Sequence, residues 1–115
     1  MSITLYGIHN CDTCRKARRW LDEQDIDYRW HDLRKDGLDT VMVEGWLKAL
    51  GPDTLLNRRG PSWRKLPAEE QAAANDGSAA IFVANPTIIK RPVLDHHGDV
   101  TVAFRADSWA KRLGL

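Results

Sequence analysis

Gly7-Ile8-His9-Asn10-Cys11-Asp12-Thr13-Cys14-Arg15-Lys16 is the stretch that decides the reading of this 115-residue chain. A strand-like run, Ile3 to Tyr6, leads into it, and a helix-like run, Thr13 to Gln24, leads out. The chain's two cysteines both fall in this hinge, with two residues between them. A sulfur at the start of a helix sits among backbone N–H groups that lack intrahelical partners, at the positive end of the helix dipole. Both favour thiolate over thiol, and such settings lower a cysteine pKa to about 3.5–7.5. Arg15, Lys16, Arg18 and Arg19 add cationic field. Cys11 reads as a reactive thiol and Cys14, one turn further in, as its candidate resolving partner. Inert packing is the competing reading, since free cysteines are often buried, but Asn10, Asp12, Thr13 and Arg15 do not make a core face. A zinc site needs two more ligands at suitable spacing. There is no second cysteine pair, and His9, His31, His96 and His97 are scattered, so no metal is expected.

Outward from the hinge, Ile3-Thr4-Leu5-Tyr6 alternates as a short strand ended by Gly7. In the helix, Cys14, Ala17, Leu21 and Gln24 share one face, with Trp20 beside them, while Arg15, Arg19, Asp22 and Glu23 face water. Ile26 to His31 alternates again and predicts a second strand, which makes a right-handed parallel βαβ unit. The middle is helical: a helix capped by Asp39 or Thr40 runs to Leu50, stopped by Gly51-Pro52. A short helix over 53–57, a basic loop over 58–65, a helix from Pro67 to about Ala74 and one from Ser78 to Val83 or Ala84 follow. Val93-Leu94-Asp95 and Val100 to Phe104 predict an antiparallel hairpin turning at His96-His97-Gly98-Asp99, whose histidines read as solvated turn residues. A last helix is expected from Asp107 or Ser108 to Leu113. The order β-α-β, helical insert, β-β-α predicts an α/β, thioredoxin-like fold with a mixed four-stranded sheet. The expected division is one domain, with its core over about 1–35 and 86–115 and the helical insertion over about 36–85.

Composition sets the outer limits. Hydrophobic content of 43% and charged content of 29% are those of an ordinary globular domain, and a formal charge of +1 implies no general affinity for polyanions. No stretch is long and apolar enough to span a bilayer, and the N-terminus lacks a signal-peptide pattern. A cytoplasmic location is therefore expected, where a disulfide is transient and catalytic rather than a staple. A monomer is expected, with no nucleic-acid or membrane partner.

Three motifs then sharpen the reading. Ile3-Thr4-Leu5-Tyr6-Gly7-Ile8, with Asn10-Cys11-Asp12-Thr13 before a basic helix, is the first. Leu55-Leu56-Asn57, Arg59-Gly60 and Trp63-Arg64-Lys65-Leu66 form the second, and Pro86, Ile88-Ile89-Lys90-Arg91-Pro92 the third. Together they resemble the arsenate reductase-like (ArsC/Spx) family, most closely its small YffB-type branch, over nearly the whole chain.

That resemblance implies a thioredoxin-like fold with a helical insertion and a reductase working through Cys11. It implies three arginines around the cysteine holding an oxyanion or a glutathione carboxylate: Arg91, Arg105, and one of Arg58 and Arg59, with Arg59 preferred because it directly precedes Gly60. It also implies a cis peptide between Arg91 and Pro92. Guanidinium groups suit the task, being permanently charged and able to grip a carboxylate or oxyanion through two parallel hydrogen bonds. Two departures separate the chain from the arsenate enzymes: Gly7 stands where they carry histidine, and Cys14 where they tend to carry serine or threonine. Both favour thiol–disulfide chemistry.

The leading expectation is a glutathione-linked thiol–disulfide reductase with no tightly bound cofactor, glutathione as co-substrate and glutaredoxin as a further candidate partner. Arsenate reduction on the same residues is the second reading. The third is of another class. Spx proteins share the fold and the cysteine pair but act as redox-switched binders of RNA polymerase. Against it, Spx chains continue past the last helix, whereas this one is expected to close at Leu115.

Overall fold

In the computed structural model, which describes residues 2–115, the first strand, β1 (Ile3–Gly7), buries Ile3, Leu5 and Gly7 and leaves Thr4 and Tyr6 half-buried. This is the two-residue alternation of a strand with one face on a core. Helix α1 (Asp12–Glu23) buries Cys14, Ala17 and Leu21 on one stripe. Strand β2 (Arg29–Asp32) lies parallel to β1, with Leu5 opposite Trp30 and Gly7 opposite Asp32. Strands β3 (Val93–His96) and β4 (Asp99–Val102) form an antiparallel hairpin, and β3 pairs antiparallel with β1. The sheet order β2-β1-β3-β4, with one parallel and two antiparallel pairings, is the expected thioredoxin-like α/β arrangement.

On one sheet face Ile3, Leu5 and Leu94 meet Ala17 and Leu21 of α1 and Trp109 of the last helix. Trp20, Phe104 and Trp109 close the edge of this core as an aromatic trio, with ring centroids 4.9–6.1 Å apart. Truncating a residue such as Leu5, fully buried here, costs about 2–5 kcal/mol.

The chain forms two compact units, one comprising the stretch up to Asp32 with Arg91–Leu115, the other Leu33–Lys90. The second contains α2 (Thr40–Leu50), α3 (Pro52–Leu55), α4 (Pro61–Lys65), α5 (Ala68–Asn75), α6 (Ala79–Ala84) and a single 3₁₀ turn (Pro86–Ile88). Val43 and Trp46 of α2, Leu55, Leu56, Ala74, Phe82, Ile88 and Ile89 are buried there. A bridge between Leu56 and Ile89 ties its middle to its C-terminal end, with Asn57 N donating to Ile88 O at 2.8 Å and Lys90 N to Leu55 O at 2.8 Å.

Several boundaries differ from the sequence reading, each for a local reason. The second strand starts at Arg29, not Ile26, because Asp25 takes a left-handed conformation (φ 55°) and Ile26 N donates back to Leu21 O at 3.0 Å. Ile26 thus belongs to the exit of α1, in a Schellman-type closure. Strand β4 ends at Val102 because Ala103 has φ 67° and its amide turns to Pro92 O, which sends Phe104 into the aromatic trio. The hairpin turns on His97 and Gly98 alone, both left-handed (φ 57° and 86°), so His96 lies in the strand. The basic loop over 58–65 contains a one-turn helix begun by Pro61, whose fixed φ suits a first helical position. The last helix, α7 (Ala106–Arg112), starts ahead of the expected Asp107 or Ser108 and ends one residue before the expected Leu113. Among the described residues, no helix is long and apolar enough to cross a membrane.

Candidate active site

Strand β1 ends at Gly7, and the loop Ile8-His9-Asn10 delivers Cys11 to the N-cap of α1 in an extended conformation (φ −137°, ψ 121°). The loop is anchored from below. His9 N donates to Asp32 Oδ2 at 2.9 Å, and Asp32, at the end of β2, is the one buried charged residue among the described residues, 3% exposed. Cys11 is half-buried and Cys14 buried, both as free thiols.

The two sulfurs are driven in opposite directions. Burial pushes Cys11 upward, but the Cys14 amide, the Cys14 thiol and the Arg91 guanidinium, which both hydrogen-bonds and attracts the sulfur, outweigh it. The net result is a pKa below the ordinary thiol value. Burial dominates Cys14, which the neighbouring Cys11 sulfur pushes further, up to about 12, against opposition from the Ile8 amide and Arg91. Cys11 is therefore the readier of the two sulfurs to ionise, while the inner one stays a thiol at neutral pH, poised as a donor to it.

Arg91 opens the segment into β3 and is joined to Pro92 by a cis peptide bond. Cys11, Cys14 and Arg91 are thus brought together. The cations of α1 are occupied otherwise. Arg15 pairs with Asp12, and Arg18 lies 4.3 Å over the Trp30 ring. With His9, Arg19 and Asp22 they line an open groove along the outer side of the helix. The cationic field first assigned to this helix is supplied at the sulfur by Arg91.

Arg105 is exposed at the N-cap of α7, where it shares a notch with Thr101, Ser108 and Arg112. Arg59 is exposed in the helical unit, its amide bound to Asn57 Oδ1 at 3.3 Å. Its neighbour Arg58 is committed locally, donating to Asp53 at 2.7 Å and Asn75 at 2.7 Å, with its guanidinium 5.7 Å from the Trp63 ring centre. That leaves Arg59 as the available member of the pair. The His96 and His97 rings meet at a tilt of 55°, 4.6 Å between centroids, at the hairpin.

Asp32 went unnoticed in the sequence. Its signal was its place at the end of the strand paired with the cysteine-bearing β1, where a carboxylate can reach the loop amides.

The ArsC family model matches residues 6–112, from the end of β1 to the end of α7. The chain belongs to the ArsC family. Its fold is shared with the YFFB protein structure at a TM-score of 0.88 and 39% identity, over 96% of this chain and 97% of that one. An arsenate reductase (ArsC) related protein from Brucella melitensis is 41% identical, over all of this chain and 97% of its own, at a TM-score of 0.77. The global transcriptional regulator Spx of Listeria innocua is 26% identical over 107 residues, 91% of this chain and 82% of the regulator. This ArsC-family chain therefore shares its fold with an arsenate reductase related protein and is similar in sequence to a transcriptional regulator.

Proposed function

We propose that this ArsC-family protein is a thiol–disulfide reductase that works with glutathione. The observation that carries the reading is the opposed titration of the two sulfurs, a lowered Cys11 beside a raised, buried Cys14. The Cys11 thiolate attacks one sulfur of a disulfide such as oxidised glutathione. A Cys11–glutathione bond forms, the original S–S bond breaks, and one glutathione thiolate leaves and takes up a proton. Cys11 then carries no negative charge, so its push on Cys14 lapses. Cys14 gives up its proton to solvent and attacks the Cys11 sulfur, releasing the second glutathione. Two cysteine thiols are oxidised and one disulfide is reduced in this half-reaction. A second turnover needs two electrons from an external dithiol, such as a reduced glutaredoxin, to reopen the Cys11–Cys14 bond.

Arg91 has a double part: it favours the Cys11 thiolate and is placed to meet a carboxylate of the incoming disulfide. Arg59 and Arg105 are the further cations proposed for such carboxylates. Replacing either with Ala is expected to raise KM for oxidised glutathione while leaving the alkylation of Cys11 unchanged. Turnover with oxidised glutathione, followed by mass spectrometry, tests the whole reading. An adduct on Cys11 or an internal Cys11–Cys14 bond supports it; a protein of unchanged mass contradicts it. Arsenate with glutathione and glutaredoxin is expected to yield no arsenite.

The match to Spx favours one second reading, a redox-switched binder of RNA polymerase using the same cysteine pair. Capture of the polymerase α subunit's C-terminal domain, tight only after oxidation, would replace the reductase assignment with that one.

A further inference from the structure

Gly7 is the last residue of β1, and its backbone lies outside the left-handed region, so conformation does not demand glycine there. Space does. A Cβ on Gly7 would stand 2.5 Å from Cys14 Sγ and 2.9 Å from Trp30 Cη2, inside the contact distance that carbon tolerates. At six of the other glycines (37, 45, 51, 77, 98 and 114) nothing would lie within 4 Å. The volume of the missing side chain is filled by a sulfur. The two obstructing groups differ in how they can yield. Trp30 is packed against the core and covered by the Arg18 guanidinium at 4.3 Å, whereas Cys14 turns about a single side-chain torsion, with two staggered positions favoured in a helix. A side chain at position 7 therefore displaces Sγ of Cys14 first.

We propose that Gly7 determines which sulfur completes the reaction: its missing side chain is the space in which Cys14 Sγ stands beside Cys11, and filling that space turns a two-cysteine route into a one-cysteine route. The inference rests on the thiol–disulfide reading above and adds to it the residue that selects between its two modes of release. With Gly7 present, the Cys14 sulfur attacks the Cys11–glutathione bond, an internal disulfide forms, and glutathione leaves. With position 7 filled, Cys14 no longer reaches Cys11. The adduct persists until the thiolate of a second glutathione attacks its glutathione sulfur, returning oxidised glutathione and the Cys11 thiolate. This completes a reduction when the adduct came from a glutathionylated thiol, whose own thiolate has left, and reverses the first step when it came from oxidised glutathione.

The test is the Gly7→Ala protein, treated with oxidised glutathione, quenched in acid and weighed. Wild type is expected to end mainly as the internal disulfide, two hydrogens lighter, and Gly7→Ala mainly as the glutathione adduct on Cys11. Equal yields of internal disulfide in both overturn the proposal. The pH midpoint of Cys11 alkylation supplies a readout that loosened packing alone does not move in the same pattern. Gly7→Ala is expected to raise it in the parent protein, because the Cys14 donor is turned away, and to leave it unchanged when Cys14→Ala is already present. An equal rise in both backgrounds means that Gly7 acts through the loop backbone, and contradicts the proposal. Should Gly7→Ala fail to fold, Gly7→Ala with Trp30→Phe removes the outer indole ring while keeping the clash with sulfur, and the same two outcomes decide. If wild type forms neither adduct nor internal bond, the reductase reading falls, and the alkylation comparison still decides the role of Gly7.

Discussion

Two helices in this molecule begin in opposite ways. At the start of α2, Asp39 accepts a hydrogen bond from Met42 N at 2.9 Å, so a carboxylate closes the open end of the helix. At the start of α1, Cys11 occupies the same N-cap position in a similar extended conformation but makes no side-chain capping bond of ordinary geometry. The nearby Cys14 amide is instead oriented so as to favour the ionised sulfur. One helix end is spent on stability and the other is kept for chemistry. An oxygen at the N-cap is worth about 0.5–2 kcal/mol over a residue that cannot accept; α2 takes it, while α1 forgoes it, as α3 to α7 also do, and among these helix starts only that of α1 carries a thiol.

Exchanging the two solutions gives the largest expected effect. Cys11→Ser should abolish turnover of oxidised glutathione, because an alcohol is a poor nucleophile at neutral pH. The same change should raise stability by up to about 1 kcal/mol, because serine is a favoured N-cap. Denaturant titration checks the second half; a Cys11→Ser protein that keeps its turnover would break the comparison.

A middle-sized effect is expected from Arg91→Ala. The guanidinium favours the Cys11 anion by hydrogen bond and by charge, so its loss lets the sulfur titrate higher and leaves less thiolate at pH 7. Each unit of rise is a tenfold loss, and alkylation at pH 7 is expected to slow roughly tenfold. Arg15→Ala is expected to change the rate far less, since Arg15 is engaged by Asp12. Equal effects from the two arginines would return the cationic field to α1. The smallest chemical effect belongs to Asp39→Ala. It should cost about 0.5–2 kcal/mol in stability and leave Cys11 alkylation unchanged, as a purely structural cap would.

The start of α2 was legible from the sequence, since Asp39 stands directly before an apolar run with helical spacing. So were the cysteine-bearing hinge, the pairing of Val93–Asp95 with the strand after the turn, and the helical middle, all of which rest on local patterns. What escaped depends on contacts between distant segments. The cation that matters at Cys11 arrives from Arg91, which the family resemblance implied but no local pattern did; local patterns gave weight to Arg15, Lys16, Arg18 and Arg19, two of which, Arg15 and Arg18, Asp12 and Trp30 engage. Asp32 gave no local sign that its carboxylate would be buried under the loop. The late start of β2 turned on Asp25 adopting φ 55°, a conformation available to aspartate but not announced by the alternation of Ile26 to His31.

Alkylation of Cys11 across a pH series, with the modified sulfur located by fragment-ion mass spectrometry, tests the central claim most directly. The rate is expected to follow a midpoint clearly below 9, the ordinary thiol value, while Cys14 stays unmodified until far higher pH. A Cys11 midpoint at or above that value, or Cys14 reacting as readily as Cys11, would contradict the account.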